Sequence, residues 1–503
     1  MITQSSDTET KRRSVEAGSS STPTSSLRLS VSPSLPPQDL ISKYSKAGPR
    51  YTSYPPVPYW SRPYGEEDYK HALRDLDSWN RCGRGDSTVS VYVHIPFCEQ
   101  RCVFCACNVV TSRAHSKGRA FIDRVTREMD LALEAAGNRR LKILQLHWGG
   151  GTPTWLPAED LAELNRRIAQ RFDLLPDREQ SVEVDPRVTT REQLEVLCAA
   201  GLNRISLGVQ DLDPKVQDAI YRNQTLEQTA ATIHDARALG VEGVNLDLVY
   251  GLPHQTLDTV SNTIDRVVEL SPDRIALYNF AYLPEQIPRH AAIRPEWLPS
   301  PHDRIELFRL ATQRLLEAGY VMIGLDHFAK ATDELCKAQR DGSMQRNFMG
   351  YTTRAGCDLL AFGPSAISRV GRDFAQNVKG LEEYETLINS GHLPIERGMR
   401  LSDDDLLREH VIQSIMCYGK VDFDKVRQMF SADLLADESV RRGLESVETD
   451  GLIEWRGREL RVTDTGRFFL RNIAMHFDAY QGKSTGHTMI KGTPVQLKFS
   501  KTV

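Results

Sequence analysis

The sequence predicts an α/β protein whose centre is a complete or partial (β/α) barrel. From about residue 86, short apolar runs rich in β-branched residues alternate with longer segments of helical periodicity. Such alternation is typical of parallel strands joined by crossover helices. Six or seven units within roughly 240 residues fit a barrel better than a doubly wound sheet, although spacing by itself leaves the doubly wound sheet open.

Six apolar segments are the strand candidates, and a seventh is a further one. Helical periodicity fills the intervals, as in residues 120–137 and 300–319, and Ser300 is suited to cap the second of these helices. The six candidates are STVSVYVHI (87–95), ILQLHW (143–148), SVEVD (181–185), RISLGV (204–209), VNLDLVYG (244–251) and RIALYNFAY (274–282), and the seventh is YVMIGLDHF (320–328).

Composition and periodicity divide the chain into five parts. The amino-terminal part is rich in Ser, Thr and Pro with almost no aromatic residues, so it cannot bury enough apolar surface to offset chain entropy. Near the other end, two short strands joined by a polar turn lead into a helix, which is a winged pattern. We expect a disordered tail at 1–38, an arm at 39–85, the barrel with an extension at 86–395, a helical domain at 396–480 and a flexible tail at 481–503.

The charge balance argues against a nucleic-acid or membrane partner. The chain has 63 Lys and Arg against 67 Asp and Glu, a formal net charge of −4, so the winged segment is better interpreted as a packing or lid element than as a DNA reader. No segment approaches the roughly 18 consecutive apolar residues of a membrane span, and the amino terminus lacks the apolar core of a secretory signal. We therefore expect a cytoplasmic protein that binds neither nucleic acid nor membrane, and we expect a monomer.

The most specific signal is a group of four cysteines between residues 98 and 107. Cys98, Cys102 and Cys105 follow the first strand candidate, and three thiolates at this spacing can hold a [4Fe–4S] cluster while leaving one iron without a protein ligand. That iron can bind the amino and carboxylate groups of S-adenosylmethionine (SAM). A structural zinc site that uses all four thiols is the alternative, but Cys105 and Cys107 are one residue apart, which is tight for one tetrahedral ion.

Polar residues stand at the ends of several strand candidates, where barrel enzymes build their active sites. Three successive glycines follow the second candidate, and they let backbone approach a ligand closely. Carboxylate and amide groups can hold ribose hydroxyls or ammonium groups, and a guanidinium can bind a carboxylate through two hydrogen bonds. The alternative is that the strands simply end in polar turn residues. The candidates are His94, Gly149, Gly150, Gly151, Glu183, Asp185, Gln210, Arg222 and Asp247.

Motifs spread over roughly residues 40–480 carry a family resemblance. They are GPRYTSYP (48–55), YVHIPFC (92–98), QLHWGGGTPT (145–154), VEVDPR (182–187), GVQD (208–211), NLDLVYGLP (245–253), LDHFA (325–329) and RNFMGYTT (346–353). The chain resembles the oxygen-independent coproporphyrinogen III oxidases, which are radical SAM enzymes. This resemblance implies a partial (β/α)6-type radical SAM barrel with an amino-terminal arm and a small helical, winged-helix-like carboxy-terminal domain.

The resemblance also implies cofactors and a reaction. One [4Fe–4S] cluster and two SAM molecules would be bound, and two propionate side chains of coproporphyrinogen III would be oxidatively decarboxylated to vinyl groups, giving protoporphyrinogen IX in porphyrin biosynthesis. The propionate C–H bond is unactivated, so this chemistry belongs to a radical cofactor rather than to an amino-acid acid or base. A reductant for the cluster and an electron acceptor are required, and the sequence identifies neither.

Site residues follow from the same resemblance. Cys98, Cys102 and Cys105 would ligate the cluster, whereas Cys107 matches a family cysteine that is not a ligand. The predicted catalytic residues are Tyr92, His94 and Cys107. The first SAM would contact Tyr92, Gly150, Glu183 and Ile367. The second would contact Phe104, Gly151, Thr152, Gln210, Arg222, Asp247 and Ala281.

Two departures from the family pattern and two rival functions stay open. Met349 stands where Gln is frequent, which puts a polar contact near the substrate in doubt, and Ala106 stands where Gly is frequent. One rival is a haem-trafficking chaperone with the same barrel, although the GPRYTSYP segment and Cys107 favour the oxidase. The other rival is a radical SAM enzyme that acts on another tetrapyrrole or opens haem.

Overall fold

The computed structural model describes residues 31–32, 34–76, 87–490 and 493–502. Most of the predicted disordered tail therefore lies outside the described residues. Its last residues contradict the predicted boundary at residue 38, because Val31 is buried and the Ser32 amide donates to the Asp464 carbonyl at 3.1 Å. Among the described residues, no helix is long and apolar enough to cross a membrane.

The arm lies against the rest of the fold. It contains the helices α1 (Gln38–Tyr44) and α2 (Glu66–Arg74). Tyr51 and Tyr54, between these helices, are fully buried although their hydroxyls are polar, and the Tyr51 hydroxyl donates to Asp478 at 3.0 Å. The arm is thus packed against the carboxy-terminal part of the chain, which lies more than 400 positions away in sequence.

Six parallel strands form the centre of the molecule, and they coincide with the six predicted segments. They are hydrogen-bonded in the order β1, β4, β5, β6, β7 and β8, which is also their order in the chain, so the doubly wound alternative is wrong. The elements of this region are β1 (Thr88–Ile95), β2 (Phe97–Cys98), β3 (Val110–Thr111), α3 (Lys117–Ala135), β4 (Lys142–Gly150), α4 (Ala158–Arg171), β5 (Asp173–Val184), α5 (Arg191–Ala199), β6 (Arg204–Gln210), α6 (Pro214–Ala219), α7 (Leu226–Ala238), β7 (Gly243–Tyr250), α8 (Leu257–Leu270), β8 (Arg274–Asn279) and α9 (Pro301–Glu317).

The sheet continues beyond these six strands as an open, mixed sheet of twelve, with β16 and β9 at its edges. The seventh predicted segment is not a further parallel unit, because Gly324, at φ 56°, turns the chain back into an antiparallel hairpin. The remaining elements are β9 (Tyr320–Ile323), β10 (His327–Lys330), α10 (Glu334–Asp341), β11 (Gln345–Asn347), β12 (Gly350–Thr352), β13 (Asp358–Phe362), β14 (Ile367–Val370), β15 (Asp373–Asn377), α11 (Leu381–Asn389) and β16 (Ile395–Arg400).

The carboxy-terminal domain is winged-helix-like, as predicted. Helices pack beside a three-stranded sheet in which β18 and β19 form the hairpin. The predicted boundary at residue 395 is too early, since β16 pairs with β15 in the main sheet. The elements are α12 (Asp403–Tyr418), β17 (Lys420–Asp422), α13 (Phe423–Phe430), α14 (Glu438–Thr449), β18 (Ile453–Arg456), β19 (Glu459–Val462), α15 (Leu470–Met475), β20 (His487–Ile490) and β21 (Thr493–Gln496).

The last residues return to the arm instead of forming the predicted flexible tail. The Gly48 amide donates to the Ser500 carbonyl at 3.1 Å, and the Thr502 amide donates to the Lys46 carbonyl at 2.8 Å. Thr502 is buried. Backbone pairing across 450 positions is invisible to local sequence patterns, which explains why the polar composition of this segment was misleading.

Strand alternation determines which residues face the interior. In β1, Val89, Val91 and Val93 are fully buried in the main hydrophobic core, which includes residues of α3. Because side chains alternate along a strand, Tyr92 and His94 face the opposite side, inside the curved sheet. The same rule and the strand register bring the inward-facing side chains of neighbouring strands together at the carboxyl ends.

Candidate active site

A cavity of about 370 Å³ opens inside the curved sheet. The parallel strands contribute Tyr92, His94, His147, Glu183 and Tyr278 to its walls. Later segments contribute His327, Arg346, Phe348, Met349 and Ile367, and the arm contributes Arg50 and Thr52. Tyr92, Glu183 and Ile367 were predicted to share one ligand, and all three line this central cavity although they lie in distant parts of the sequence.

Tyr92 and His94 are joined by a hydrogen bond. The Tyr92 hydroxyl lies 3.1 Å from Nδ1 of His94, and Nε2 of His94 lies 2.9 Å from the carbonyl of Asn108 in the cysteine loop. The Tyr92 ring also stacks on His147 at 5.8 Å. Burial lowers the pKa of His94 and raises the pKa of Tyr92. Both side chains are therefore neutral near pH 7 and are held in fixed positions.

Glu183 is the anionic group of the central cavity. Its Oε2 accepts the Gly150 amide at 3.0 Å, and its Oε1 lies 3.5 Å from Nε2 of His147. Burial by itself would raise the pKa of this carboxyl group, but the hydrogen bonds from His147 and Gly150 hold the pKa below its ordinary value. Glu183 is thus ionised at neutral pH and suited to a cationic or hydroxyl-bearing ligand.

The three glycines at 149–151 are required by contacts within the protein. A Cβ on Gly149 would lie 2.8 Å from Cδ of Glu183, and a Cβ on Gly151 would lie 2.5 Å from the Phe97 carbonyl oxygen. Gly150 has φ 112°, and its Cβ would meet the His94 ring at 2.6 Å. The sequence predicts that these glycines let a ligand approach the backbone. In the structure they also let the loop pack against β1 and β5, where a larger side chain would clash.

The cysteine loop lies beside the central cavity, between β2 and β3. The Cys98 Sγ is 3.3 Å from the Thr152 hydroxyl. Cys102 Sγ accepts contacts from two guanidinium groups, those of Arg187 at 3.8 Å and Arg222 at 3.6 Å. Cations this close stabilise an anionic group bound at the loop. Arg187 was missed by the sequence analysis, although it lies in the VEVDPR motif.

Cys105 and Cys107 differ in their surroundings. A hydrogen bond from the Cys107 thiol, with Arg289 nearby, lowers the pKa of Cys105 to about 6. No three of the cysteine sulfurs in the described loop lie within 4.8 Å of one another. Sulfur ligands of one zinc ion are at most about 4.6 Å apart, so the thiols as they stand are not arranged as a tetrahedral zinc site. A cubane cluster spans a wider triangle of thiolates.

Arg222 connects the cysteine loop to the neighbouring strands. It is buried, its Nη1 lies 3.2 Å from Asp185, and its Nη2 donates to the Gly208 carbonyl at 2.6 Å. A Cβ on Gly208 would lie 2.8 Å from the side-chain amide of Gln210 and 3.0 Å from Arg222. Gln210 and Arg222, both predicted to contact the second SAM, therefore lie next to each other. Gln210 itself has φ 68°, an unfavourable backbone conformation of the kind found at ligand sites.

The remaining predicted contacts of the second SAM surround this centre. Asp247 accepts hydrogen bonds from Ser206 at 3.1 Å and Asn245 at 2.8 Å, and burial raises its pKa to about 6. Phe104 packs on the apolar cluster that contains Phe280, the residue before Ala281. The structure thus places Phe104 and Arg222 at the cysteine loop, Gln210 beside Arg222, and Asp247 on the neighbouring strand β7.

The donor set fits a [4Fe–4S] cluster and SAM. Three thiols share one loop, two cations contact one of them, and a carboxylate faces the adjacent cavity. One buried atom beside the cysteine loop, Nε of Arg222, has no hydrogen-bond partner in the described part of the chain. Unpaired buried donors and acceptors are costly unless a ligand satisfies them, and the carboxylate, ammonium and ribose groups of SAM have the needed polarity.

Comparisons with known proteins agree with this site. The model of the radical SAM superfamily matches residues 92–267, and that of the HemN C-terminal domain matches residues 401–469. An oxygen-independent coproporphyrinogen III oxidase of Pseudomonas aeruginosa is 40% identical over 445 residues, covering 88% of this chain and 95% of the relative. The protein of that name from Escherichia coli is 38% identical over 444 residues, covering 88% and 94%.

A solved structure has the same fold over nearly all of its length. The coproporphyrinogen III oxidase HemN of Escherichia coli, described as a radical SAM enzyme, superposes with a TM-score of 0.80 at 37% identity, covering 88% of this chain and 99% of that one. The α/β fold with its carboxy-terminal domain is therefore confirmed, as is the expectation of a cluster and SAM. The chain belongs to the family of oxygen-independent coproporphyrinogen III oxidases.

Proposed function

We propose that this protein oxidatively decarboxylates two propionate side chains of coproporphyrinogen III to vinyl groups, giving protoporphyrinogen IX. Each conversion removes one hydrogen atom from the propionate β-carbon, one electron and one molecule of carbon dioxide. The observation that supports it most is the direct connection between the cysteine loop and the central cavity, through the Asn108 carbonyl of the loop on His94 of the cavity wall. Together with 40% identity over most of the chain, this connection favours the family's reaction.

The bound cofactors would supply a carbon-centred radical that can abstract the unactivated hydrogen. In the proposed site, Cys98, Cys102 and Cys105 hold the cluster. Tyr92, Gly150, Glu183 and Ile367 hold the SAM that faces the cavity. The task of the chain is to fix the distance between reacting carbon atoms and to exclude water from them.

We further propose a second SAM site at the other side of the cysteine loop. The residues assigned to it are Phe104, Gly151, Thr152, Gln210, Arg222, Asp247 and Ala281. The unpaired Nε of Arg222 and the ionisable Asp247 offer opposite charges for the two ends of an amino-acid group. The catalytic roles of Tyr92, His94 and Cys107 are part of the same proposal.

We infer that the protein works as a cytoplasmic monomer with a separate reductant and electron acceptor. Cys98, Cys102, Cys105, Cys107, Cys198, Cys336 and Cys417 form no disulfide bond, which suits a reducing compartment. The cavity also contains Met349, whose thioether offers no hydrogen-bond donor, so the polar contact frequent in the family at this position is absent from the side chain.

The test is anaerobic reconstitution with iron and sulfide, followed by incubation with coproporphyrinogen III, SAM and a low-potential reductant. We expect protoporphyrinogen IX and 5′-deoxyadenosine by chromatography. Tight haem binding without turnover would support the chaperone instead, and turnover of a different tetrapyrrole would support the second rival. Either result would contradict the proposal.

Cysteine variants are the matched controls for the cluster. We expect Cys98→Ala, Cys102→Ala and Cys105→Ala to lose the visible absorption and the iron of the cluster, because each removes one of three ligands. Cys107→Ala should retain iron at the wild-type ratio. Equal loss of iron in all four variants would overturn the ligand assignment and revive a four-thiol site.

A further inference from the structure

A second cavity, lined by arginines, lies where the arm, α9, the extension and the carboxy-terminal domain meet. The space inside it that the centre of a water molecule can reach has a volume of about 50 Å³. One water molecule needs about 10–15 Å³ on this measure, so the space suits a carboxylate group and is too small for a pyrrole ring. Five guanidinium-bearing residues line it: Arg50, Arg304, Arg346, Arg467 and Arg471.

The positive charge of this arginine cavity has little compensation. Asp326 is the one acidic residue among those that line it. It lies 3.7 Å from Arg346 and is also hydrogen-bonded to His327 at 2.8 Å. Arg471 donates hydrogen bonds to neutral oxygens, among them the Pro49 carbonyl at 2.9 Å. Among the described residues no acidic group lies within 4.0 Å of Arg304 or Arg467, although the negative charge of Asp464 opposes part of the effect of burial on the pKa of Arg467.

Several donors in the arginine cavity lack partners. Nε of Arg346 and Nη1 of Arg467 are buried and have no hydrogen-bond partner among the described residues, and each of these side chains belongs to a residue that is only 5% exposed. Nε of Arg304 is unpaired as well. Burial lowers the pKa of Arg467 to about 10 and that of Arg471 to about 9. A buried cation without a partner is strongly destabilising, so the fold retains these groups at a cost in stability.

The arginine cavity adjoins the central cavity. Arg50 and Arg346 line both, and Nη1 of Arg346 donates to the Arg50 carbonyl at 2.6 Å. A ligand with carboxylates at several points of its rim could therefore extend one side chain into the central cavity and place the carboxylate of another among the arginines. Coproporphyrinogen III carries four propionates, of which two are kept in the proposed reaction.

We propose that the arginine cavity binds a propionate carboxylate that is not reacting, and thereby holds the tetrapyrrole while another propionate lies in the central cavity. This inference rests on the proposed function. It assigns Arg304 and Arg467 to substrate binding, with Arg346 and Arg50 forming the passage between the cavities. Arg471 keeps the arm and the last residues in place around the cavity.

The binding test uses coproporphyrin III, the stable oxidised tetracarboxylate, as the probe. We expect Arg304→Gln and Arg467→Met each to raise its Kd about tenfold or more, because charge-assisted hydrogen bonds are lost. The Kd for SAM should not change. The matched control is Arg314→Gln on the same helix, which removes a surface pair with Asp265 and should bind the porphyrin like the wild type.

Thermal unfolding without ligand separates a binding role from a structural one. Arg467→Met should raise Tm, since it replaces a buried, unpaired cation by an apolar side chain of similar length. A lowered Tm together with an unchanged porphyrin Kd in Arg304→Gln would overturn the proposal. If Arg467→Met fails to fold, the half-buried Arg304 still decides the outcome through its own Kd.

Two further arms separate this proposal from neighbouring explanations. Acetate and inorganic phosphate test whether the cavity binds a free anion instead. In that case they raise the Tm of the wild type and not that of Arg304→Gln, while the two proteins have the same Kd for the porphyrin. This result would show that the proposal is wrong. Turnover by the wild type tests the proposed function separately. Porphyrin binding that depends on these arginines, without turnover, would support the assignment of the cavity and contradict the proposed reaction.

Discussion

At the scale of single residues, buried ionisable groups do most to define this molecule. Glu128 of α3 is only 2% exposed, and three donors meet its carboxyl group. They are the Gly363 amide at 2.8 Å, the Asn377 side chain at 2.7 Å and the Tyr384 hydroxyl at 2.5 Å. Burial outweighs these bonds and raises the pKa of Glu128 to about 7. Glu128 ties α3 to the extension of the sheet.

The raised pKa of Glu128 predicts a specific pH dependence. In the unfolded chain the group ionises near pH 4.5, while in the folded protein it keeps its proton up to about pH 7. The folded state thus binds more protons between these values, and its free energy of unfolding falls as the pH rises through this window. Glu128→Gln cannot ionise, so it does not lose this stability. From pH 4.5 to 7.5, the free energy of unfolding of the wild type should fall relative to that of the variant by up to about 3 kcal/mol.

Urea unfolding at a series of pH values measures this difference. Wild type and Glu128→Gln are compared at each pH, so contributions from every other titratable group cancel in the difference. A difference that stays flat over this window would mean that Glu128 is ionised in the folded protein and that its three donors outweigh burial.

At the scale of elements, local sequence signals predicted well wherever the cause of the structure is local. The six parallel strands and the Ser300 cap depend on apolar periodicity and on hydrogen bonds within four residues, and both were found as predicted. The hairpin of β9 and β10 was not, because its apolar run is interrupted by Gly324, whose positive φ reverses the chain. A run of nine apolar-rich residues does not distinguish one strand from a tight hairpin.

The cap of α9 gives a prediction at this scale. Ser300 Oγ accepts the Asp303 amide at 3.2 Å, and the Asp303 carboxylate accepts the Ser300 amide at 3.1 Å. We expect Ser300→Ala to lower the free energy of unfolding by about 1 kcal/mol, since one amide loses its acceptor. Ser300→Thr keeps the hydroxyl and should unfold within about 0.5 kcal/mol of the wild type in urea. Equal losses in both variants would show that side-chain bulk, rather than the hydrogen bond, determines the effect.

At the scale of the whole molecule, the sequence did not predict how distant segments converge. The cysteine loop and the glycine loop could be paired from their order in a barrel, but the wall residue Ile367 was placed by family resemblance alone. The arginine cavity was not foreseen at all. Its five arginines come from the arm, a barrel helix, the extension and the last domain, and one or two arginines in a segment have no local signature.

The return of the last residues to the arm gives the final prediction. Arg471 donates to the Lys501 carbonyl at 3.1 Å and also to Gly48 and Pro49 of the arm, so it joins both segments around the arginine cavity. Deleting residues 497–503 removes the Ser500 and Thr502 pairings with the arm and should open this region without unfolding the barrel. We expect hydrogen exchange of arm amides around Gly48 to quicken at least tenfold, with exchange in the parallel strands unchanged. Lys498→Ala, which removes only an exposed pair with Glu285, is the control and should exchange like the wild type.

The affinity of the deletion variant for coproporphyrin III should fall together with the protection of the arm amides, because Arg50 then leaves the passage between the two cavities. If protection is lost and the affinity is unchanged, the arm does not take part in binding the tetrapyrrole.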